Sequence, residues 1–355
     1  MKPKRLSALL GIFYLLLSLT LLPPVESRAH EPYQIEIHSF MPGTTTYVMG
    51  VALADQINKH STWLKATNVA GKGFLVSGKM LVVDPKTRKN TLHSWSTYTF
   101  YDFANGLLTG PLTGIKYDGV RAVALGIGVT GNGFVTLNPN IKTLLDLAGK
   151  RVAGHVSKDV NLDFEATLKA YGANIELERL GYDEGKNALR DGKVDAALMP
   201  ALWLGGTKWV PNPAFDELIK GGKVKWLTWD TGKFYEGQKN LGKSPERLRQ
   251  IPGPTTIQAG TLASDQGPWR VLPACLLWIA DKEMPDDVVY EICRIYYEYA
   301  PAFHEYHMSA QYISKGTMSK AMKREWVHPG AIKFYDKHGL KIEPVPGIEW
   351  ASYPK

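Results

Sequence analysis

Long hydrophobic runs are scarce in this chain. Beyond the first 29 residues no segment approaches the roughly 20 uninterrupted apolar residues that a membrane-spanning helix needs, so the remainder is expected to be soluble outside the cytoplasmic membrane. Cysteine is nearly absent, with Cys275 and Cys293 alone in 355 residues. Cys275 lies in an apolar strand-like run and Cys293 in a helix-like one, where buried free thiols are the commoner reading, although a disulfide is chemically open to an exported chain. No Gly-x-Ser-x-Gly or His-Glu-x-x-His pattern occurs, so the spacings of a nucleophile elbow and a zinc helix are both missing. Basic blocks and nucleic-acid motifs are missing too, and the scattered Lys and Arg residues speak against a nucleic-acid partner. No internal repeat or low-complexity tract is present.

What is there is ordinary globular composition, 44% hydrophobic and 21% charged, which excludes disordered and fibrous classes and suffices for two domains with proper cores. The first 29 residues follow a separate plan: Lys2, Lys4 and Arg5, an apolar run from Leu6 to Leu22, Pro23-Pro24, then Ser27-Arg28-Ala29 with small residues at both cleavage-determining positions. That is the layout of a signal peptide cleaved after Ala29, and the run, broken by Ser7, Gly11, Ser18 and Thr20, is a poor membrane anchor. The formal charge of the whole chain is +8, and because the leader carries four Lys/Arg and one Glu, the mature chain is left at +5. A mild positive balance of this kind favours small anions by long-range attraction.

Hydrophobic patterning along the mature chain alternates strands with helices. Tyr33 to His38 reads as a strand, Pro42 to Thr46 as a polar loop, and Val48 to Ile57 as a helix. Residues 65–93, with Gly71, Gly73, Gly78 and Asp84-Pro85, fit irregular structure or a hairpin. Thr99 to Leu107 has helical periodicity. Val120 to Gly128 and Gly133 to Leu137 read as two strands joined by a Gly-rich connection, followed by a short helix at Asn140 to Leu147. A strand at 149–154, a helix running to Ala170, a strand at 175–179, a helix at 183–191 and a strand at 194–199 stopping at Pro200 complete a regular series. Residues 205–270 show less order; Val271 to Ala280 is again strand-like and Val288 to Ala300 helical. Regular alternation argues for a largely parallel sheet flanked by helices, with ligands beyond the carboxyl ends of its strands.

Several of these segments also resemble a known family. Leu144-Leu145-Asp146-Leu147-Ala148-Gly149-Lys150-Arg151-Val152, then Leu168 to Gly172 and Ala188 to Ala197, keep the order and spacing of the TAXI-type extracytoplasmic solute receptors that serve tripartite ATP-independent periplasmic (TRAP) transporters. Met284-Pro285-Asp286-Asp287-Val288-Val289-Tyr290-Glu291-Ile292, with Ile251-Pro252-Gly253 upstream, is similar to that family's C-terminal pattern, and Gly43-Thr44-Thr45-Thr46-Tyr47 to its opening loop. The sequence departs from the pattern at 71–90 and at His155-Val156-Ser157-Lys158-Asp159. The resemblance implies a two-lobed α/β clamp of the periplasmic binding protein type II kind, with lobe I at 30–128 plus 275–355, lobe II at 129–274, and two crossing segments as hinge. It further implies a periplasmic receptor, not an enzyme, partnered by TRAP permease subunits and needing no cofactor. A periplasmic hydrolase or lyase, and the same clamp serving an ABC transporter or a sensor, are the alternatives.

Four loops should converge on the inter-lobe cleft. The first contributes Thr44, Thr45, Thr46 and Tyr47; the second Ser94, Trp95, Ser96, Thr97 and Tyr98; the third His155, Ser157, Lys158 and Asn161; the fourth Pro200 and Trp203. Hydroxyls and amides there can hydrogen-bond a solute, Trp95, Tyr98 and Trp203 offer flat walls, and Lys158 at a helix N-terminus suits an anion such as an organic acid or amino acid. The same residues also serve as helix caps, core tryptophans and a surface lysine in many proteins. His304 and His307, three apart, lack the further ligands that a metal shell requires.

Overall fold

The computed structural model describes residues 30–350, save 72, 109, 157 and 263–266, and at 158, 159, 162 and 163 the backbone alone. The expected signal peptide therefore lies outside the described residues. The strands are β1 (Tyr33–Ser39), β2 (Leu64–Ala70), β3 (Thr91–Ser96), β4 (Val120–Thr136), β5 (Arg151–His155), β6 (Glu176–Leu180), β7 (Ala196–Trp203), β8 (Trp209–Pro211), β9 (Lys225–Leu227), β10 (Thr255–Ile257) and β11 (Trp269–Asp281). They form one sheet with a main path of β2-β1-β3-β11-β4-β7-β5-β6.

Register explains how this sheet makes a clamp. β1, β2 and β3 run parallel to one another, as do β5, β6 and β7. Between these groups, β11 is antiparallel to β3 and to β4, and β4 is antiparallel to β7. The two parallel groups therefore point in opposite directions along β4. Ser96, at the end of β3, shares its β11 partner Leu276 with Gly128, while Leu202, near the end of β7, pairs with Thr130. Both groups thus bring their carboxyl ends to the middle of β4, facing one another. The fold is accordingly a two-lobed α/β clamp.

Burial gathers into two clusters, the first of which spans both strand groups, from Ile35 of β1 to Ala153 of β5 and Met199 of β7. Ile35, Leu53, Ile57, Val123 and Ile292 belong to one cluster and have no exposed surface, while Leu147, Val152, Leu168 and Trp229 gather in a second. Each such side chain contributes about 1.5–3 kcal/mol relative to its exposed state.

Three expectations are corrected. Residues 65–93 are neither irregular nor a hairpin: β2 is followed by helices at Phe74–Val83 and Pro85–Asn90 and then β3. Asp84 caps the second helix through Lys86 N, with Pro85 in its first turn, where the missing N–H costs nothing. β4 is one strand, not two joined by a Gly-rich connection. Its glycines clear space for rings instead: a Cβ at Gly126 would lie 2.6 Å from Trp278 and Tyr296, and one at Gly133 2.8 Å from Trp226. β7 also runs through Pro200 to Trp203. Pairing with β5 ends at Ala197 and pairing with β8 starts at Ala201, so the proline occupies a gap where no ladder donor is required.

Candidate functional site

A cavity of about 170 Å³ sits where the strand ends meet, room for roughly a dozen waters or one small molecule. Its floor comes from the crossing strands by period-2 alternation: Thr130 and Asn132 of β4, and Leu272, Ala274 and Leu276 of β11. Its rim comes from helices that start just beyond the parallel strands. Thr45 and Thr46 open the helix Thr45–His60, Phe74 opens Phe74–Val83, Tyr98 and Thr99 lie in the first turn of Thr97–Asn105, Val160 in that of Lys158–Tyr171, and Tyr182 begins Tyr182–Arg190. Five helix N-termini thus border one cavity, and each carries partial positive charge.

The sequence-predicted residues divide by orientation. Thr44, Thr45, Thr46, Ser94, Ser96, Tyr98 and His155 line the cavity. Thr44 is an N-cap, its Oγ1 accepting from Tyr47 N at 3.3 Å and meeting Thr46 Oγ1 at 2.9 Å. Ser96 caps the next helix by accepting from Thr99 N at 3.2 Å. Capping and lining are therefore compatible here. Ser94 is 3% exposed and its Oγ has no hydrogen-bond partner among the described residues.

Tyr47, Trp95, Thr97, Pro200 and Trp203 do not line the cavity. Trp95 falls on the opposite face of β3 from Ser94 and Ser96; it packs edge-on against Phe103 at 5.1 Å and donates from Nε1 to Ser77 Oγ. Trp203 is a core residue, 5.5 Å from the Tyr312 ring and donating to Gly206 O. Asn161 acts behind the wall: its Oδ1 accepts from His155 N at 2.7 Å and its Nδ2 donates to His155 O, fixing the end of β5. Gly154 makes this clamp possible, because a Cβ there would lie 2.4 Å from Asn161 Oδ1. Ser157 and the Lys158 side chain lie outside the described residues.

Sequence reasoning missed the charged end of the cavity. Lys243 and Arg247 both line it. Arg247 donates to Asp102 through Nε at 2.6 Å and Nη2 at 2.7 Å, and through Nη1 to Gln238 Oε1 at 2.8 Å. Lys243 donates to Leu107 O at 2.7 Å and reaches Asp102 Oδ2 at 3.4 Å. Gln238 is held in turn by Thr167 Oγ1 at 2.8 Å. In the sequence these charges look like a solvated face, because Asp102 is 145 positions from Arg247. His155 touches Tyr182 edge-on, and burial pushes its pKa down to about 4, which leaves it neutral at pH 7.

Other candidates have structural roles. Cys275 and Cys293 are free, buried thiols. His304 Nε2 pairs with Ile313 O, and His307 Nδ1 accepts from Ser309 N. Among the described residues there is no group of three metal-ligating side chains and no helix long and apolar enough to cross a membrane.

Fold and cavity define a two-lobed α/β clamp. The chain belongs to the NMT1-like family, whose model matches residues 96–339. It is similar to MatC from Rhodopseudomonas palustris with bound malate, at 14% identity, with 79% of this chain and 89% of that one covered and a TM-score of 0.46. A periplasmic sulfonate-binding protein of a putative sulfonate ABC transporter from Methylobacillus flagellatus matches at 13% identity over 92% and 100% of the two chains, with a TM-score of 0.46. A TRAP periplasmic solute binding protein from Desulfovibrio salexigens, in complex with diglycerolphosphate, matches at 14% identity over 90% and 88%, with a TM-score of 0.39.

Proposed function

We propose that this protein is an extracytoplasmic solute receptor that closes around one small anionic solute, a carboxylate-bearing organic acid or amino acid, and delivers it to a TRAP-type permease. The observation that carries the reading is the meeting of two opposed sets of strand ends on one cavity, bordered by five helix N-termini and by Lys243 and Arg247. Anions are stabilised at such termini, and nothing in the described wall is acidic. The receptor would move as lobe I, 30–128 plus 275–355, against lobe II, 129–274, hinged where β4 and β11 cross. Residues 1–29 would direct it to the periplasm, and the TAXI-like motifs favour the TRAP partner.

An enzymatic role has less support. Ser94 Oγ, a hydroxyl facing the cavity, has no base within hydrogen-bond reach among the described residues. A thermal-shift screen of organic acids and amino acids tests the proposal, followed by mass analysis of the released solute. A saturable rise, about 2.7 kcal/mol of stabilisation at a hundred times Kd, with the solute recovered unchanged, is the expected result. Consumption of the solute would replace the receptor reading with an enzymatic one.

A further inference from the structure

Resting on the receptor reading, we propose that the cavity selects monoanions with a bulky apolar body, such as aryl-substituted monocarboxylates, and rejects dicarboxylates. Charge counting at the closed end carries this inference. Lys243, Arg247 and Asp102 have side chains 9%, 2% and 2% exposed, so water screens none of them effectively. Asp102 accepts two parallel bonds from Arg247, satisfying that cation before any solute arrives. Among the described residues one positive charge remains, on Lys243, whose ammonium has three donors and meets two acceptors.

A buried surplus of one charge is best balanced by one negative charge. A second carboxylate would meet only the partial charges of helix N-termini and no second full cation among the described residues, or would have to displace Asp102 from Arg247, and either alternative weakens binding by on the order of a hundredfold or more relative to the monoanion.

The rest of the wall specifies the body of the solute. Six aromatic side chains, Phe40, Phe74, Tyr98, Phe164, Tyr182 and Phe234, border the cavity and would leave a small polar acid such as malate with most of the wall uncontacted. The unpartnered Ser94 Oγ adds one neutral hydrogen-bonding point to this wall.

The test is calorimetric titration of protein from the full chain, unfolded in guanidinium and refolded to clear retained solute. The probes are benzoate, phenylacetate and 3-phenylpropionate against succinate, malate and adipate, with phenylacetamide as the neutral control. The expected result is saturable binding of at least one aryl monoacid, a hundredfold or more tighter than any diacid or the amide. Lys243→Gln should erase the preference for phenylacetate over phenylacetamide, and Asp102→Asn, which raises the surplus to two, should narrow the gap to the diacids. Diacids binding wild-type protein more tightly than the aryl acids would overturn this inference and leave the receptor reading intact. Binding of none of these acids, nor of any other organic acid or amino acid, would overturn both. The wild-type ranking stands as a test even if either variant fails to fold.

Discussion

Ser94 and Ser77 are both buried serines near β3, yet their hydroxyls face different tasks. Ser77 Oγ accepts from Trp95 Nε1 at 2.9 Å, so Ser77→Ala strands a buried indole donor and should cost about 1–3 kcal/mol in chemical denaturation while leaving solute affinity unchanged. Ser94 Oγ has no partner to strand. Ser94→Ala should therefore leave the ligand-free midpoint within about 0.5 kcal/mol and weaken solute binding up to roughly tenfold, the worth of one net hydrogen bond. Equal stability losses in the two variants would show that Ser94 is a core residue and not part of the site. Residue types near the cavity were legible as hydroxyl-rich loops beyond strand ends. Orientation was legible in part, since period 2 along Ser94-Trp95-Ser96 already puts the tryptophan on the face opposite the two serines. The ion cluster was not, because a buried Arg247 and an exposed arginine look alike until the distant Asp102 is folded against it.

At the scale of elements, the alternation of strands and helices was read from apolar periodicity, and the errors cluster at glycine. A glycine that makes a turn and one that makes room for a ring are the same letter. Gly131 and Gly133 of β4 belong to the second kind, with a Cβ at Gly131 placed 2.5 Å from Val271 and 2.9 Å from the Trp209 ring, and one at Gly133 2.8 Å from Trp226. Gly131→Ala and Gly133→Ala should each destabilise by about 1–3 kcal/mol through overpacking, measured as urea midpoints. Gly316, in a turn with nothing within 4 Å of its Cβ position, is the contrast. Its alanine variant should be neutral or slightly stabilising, because a less flexible residue loses less entropy on folding. Were β4 two strands joined by a flexible connection, the Gly131 and Gly133 variants would behave like that of Gly316.

At the scale of the molecule, segments 97–107 and 243–252 are tied across the cavity by Arg247 to Asp102, Lys243 to Leu107 O, and Tyr98 Oη to Pro252 O. Opening the clamp would break all three, whereas removing one side of the buried pair with the lobes closed leaves an uncompensated charge at a cost of about 3–5 kcal/mol. Asp102→Ala should accordingly lower stability by that amount and favour a more open form. Small-angle scattering should give a larger radius of gyration for the variant than for wild type, and a saturating solute should reduce it. An unchanged radius in every state would argue against lobe movement.

Folding of the whole chain is also linked to protons through buried imidazoles, three of them shifted furthest and His307 lowered by burial as well. Burial pushes His93 down to about 3, and His155 and His328 to about 4, each below the ordinary value of 6.5. His328 is further committed to its neutral form by accepting from Gly330 N through Nδ1 at the start of the helix Pro329–Lys337. Between about pH 6.5 and 4 the unfolded chain binds protons that the native chain refuses, so stability must fall as pH falls through that window and be fully present above it. With three such groups the slope approaches about 4 kcal/mol per pH unit near pH 5. Hydrogen-bonded carboxylates such as Asp146 and Asp336, held below their usual range by backbone amides and by Arg324 respectively, contribute only at lower pH. Urea midpoints at pH 8, 7, 6 and 5 should therefore be flat to pH 7 and then drop, and His155→Gln should remove about one third of the drop.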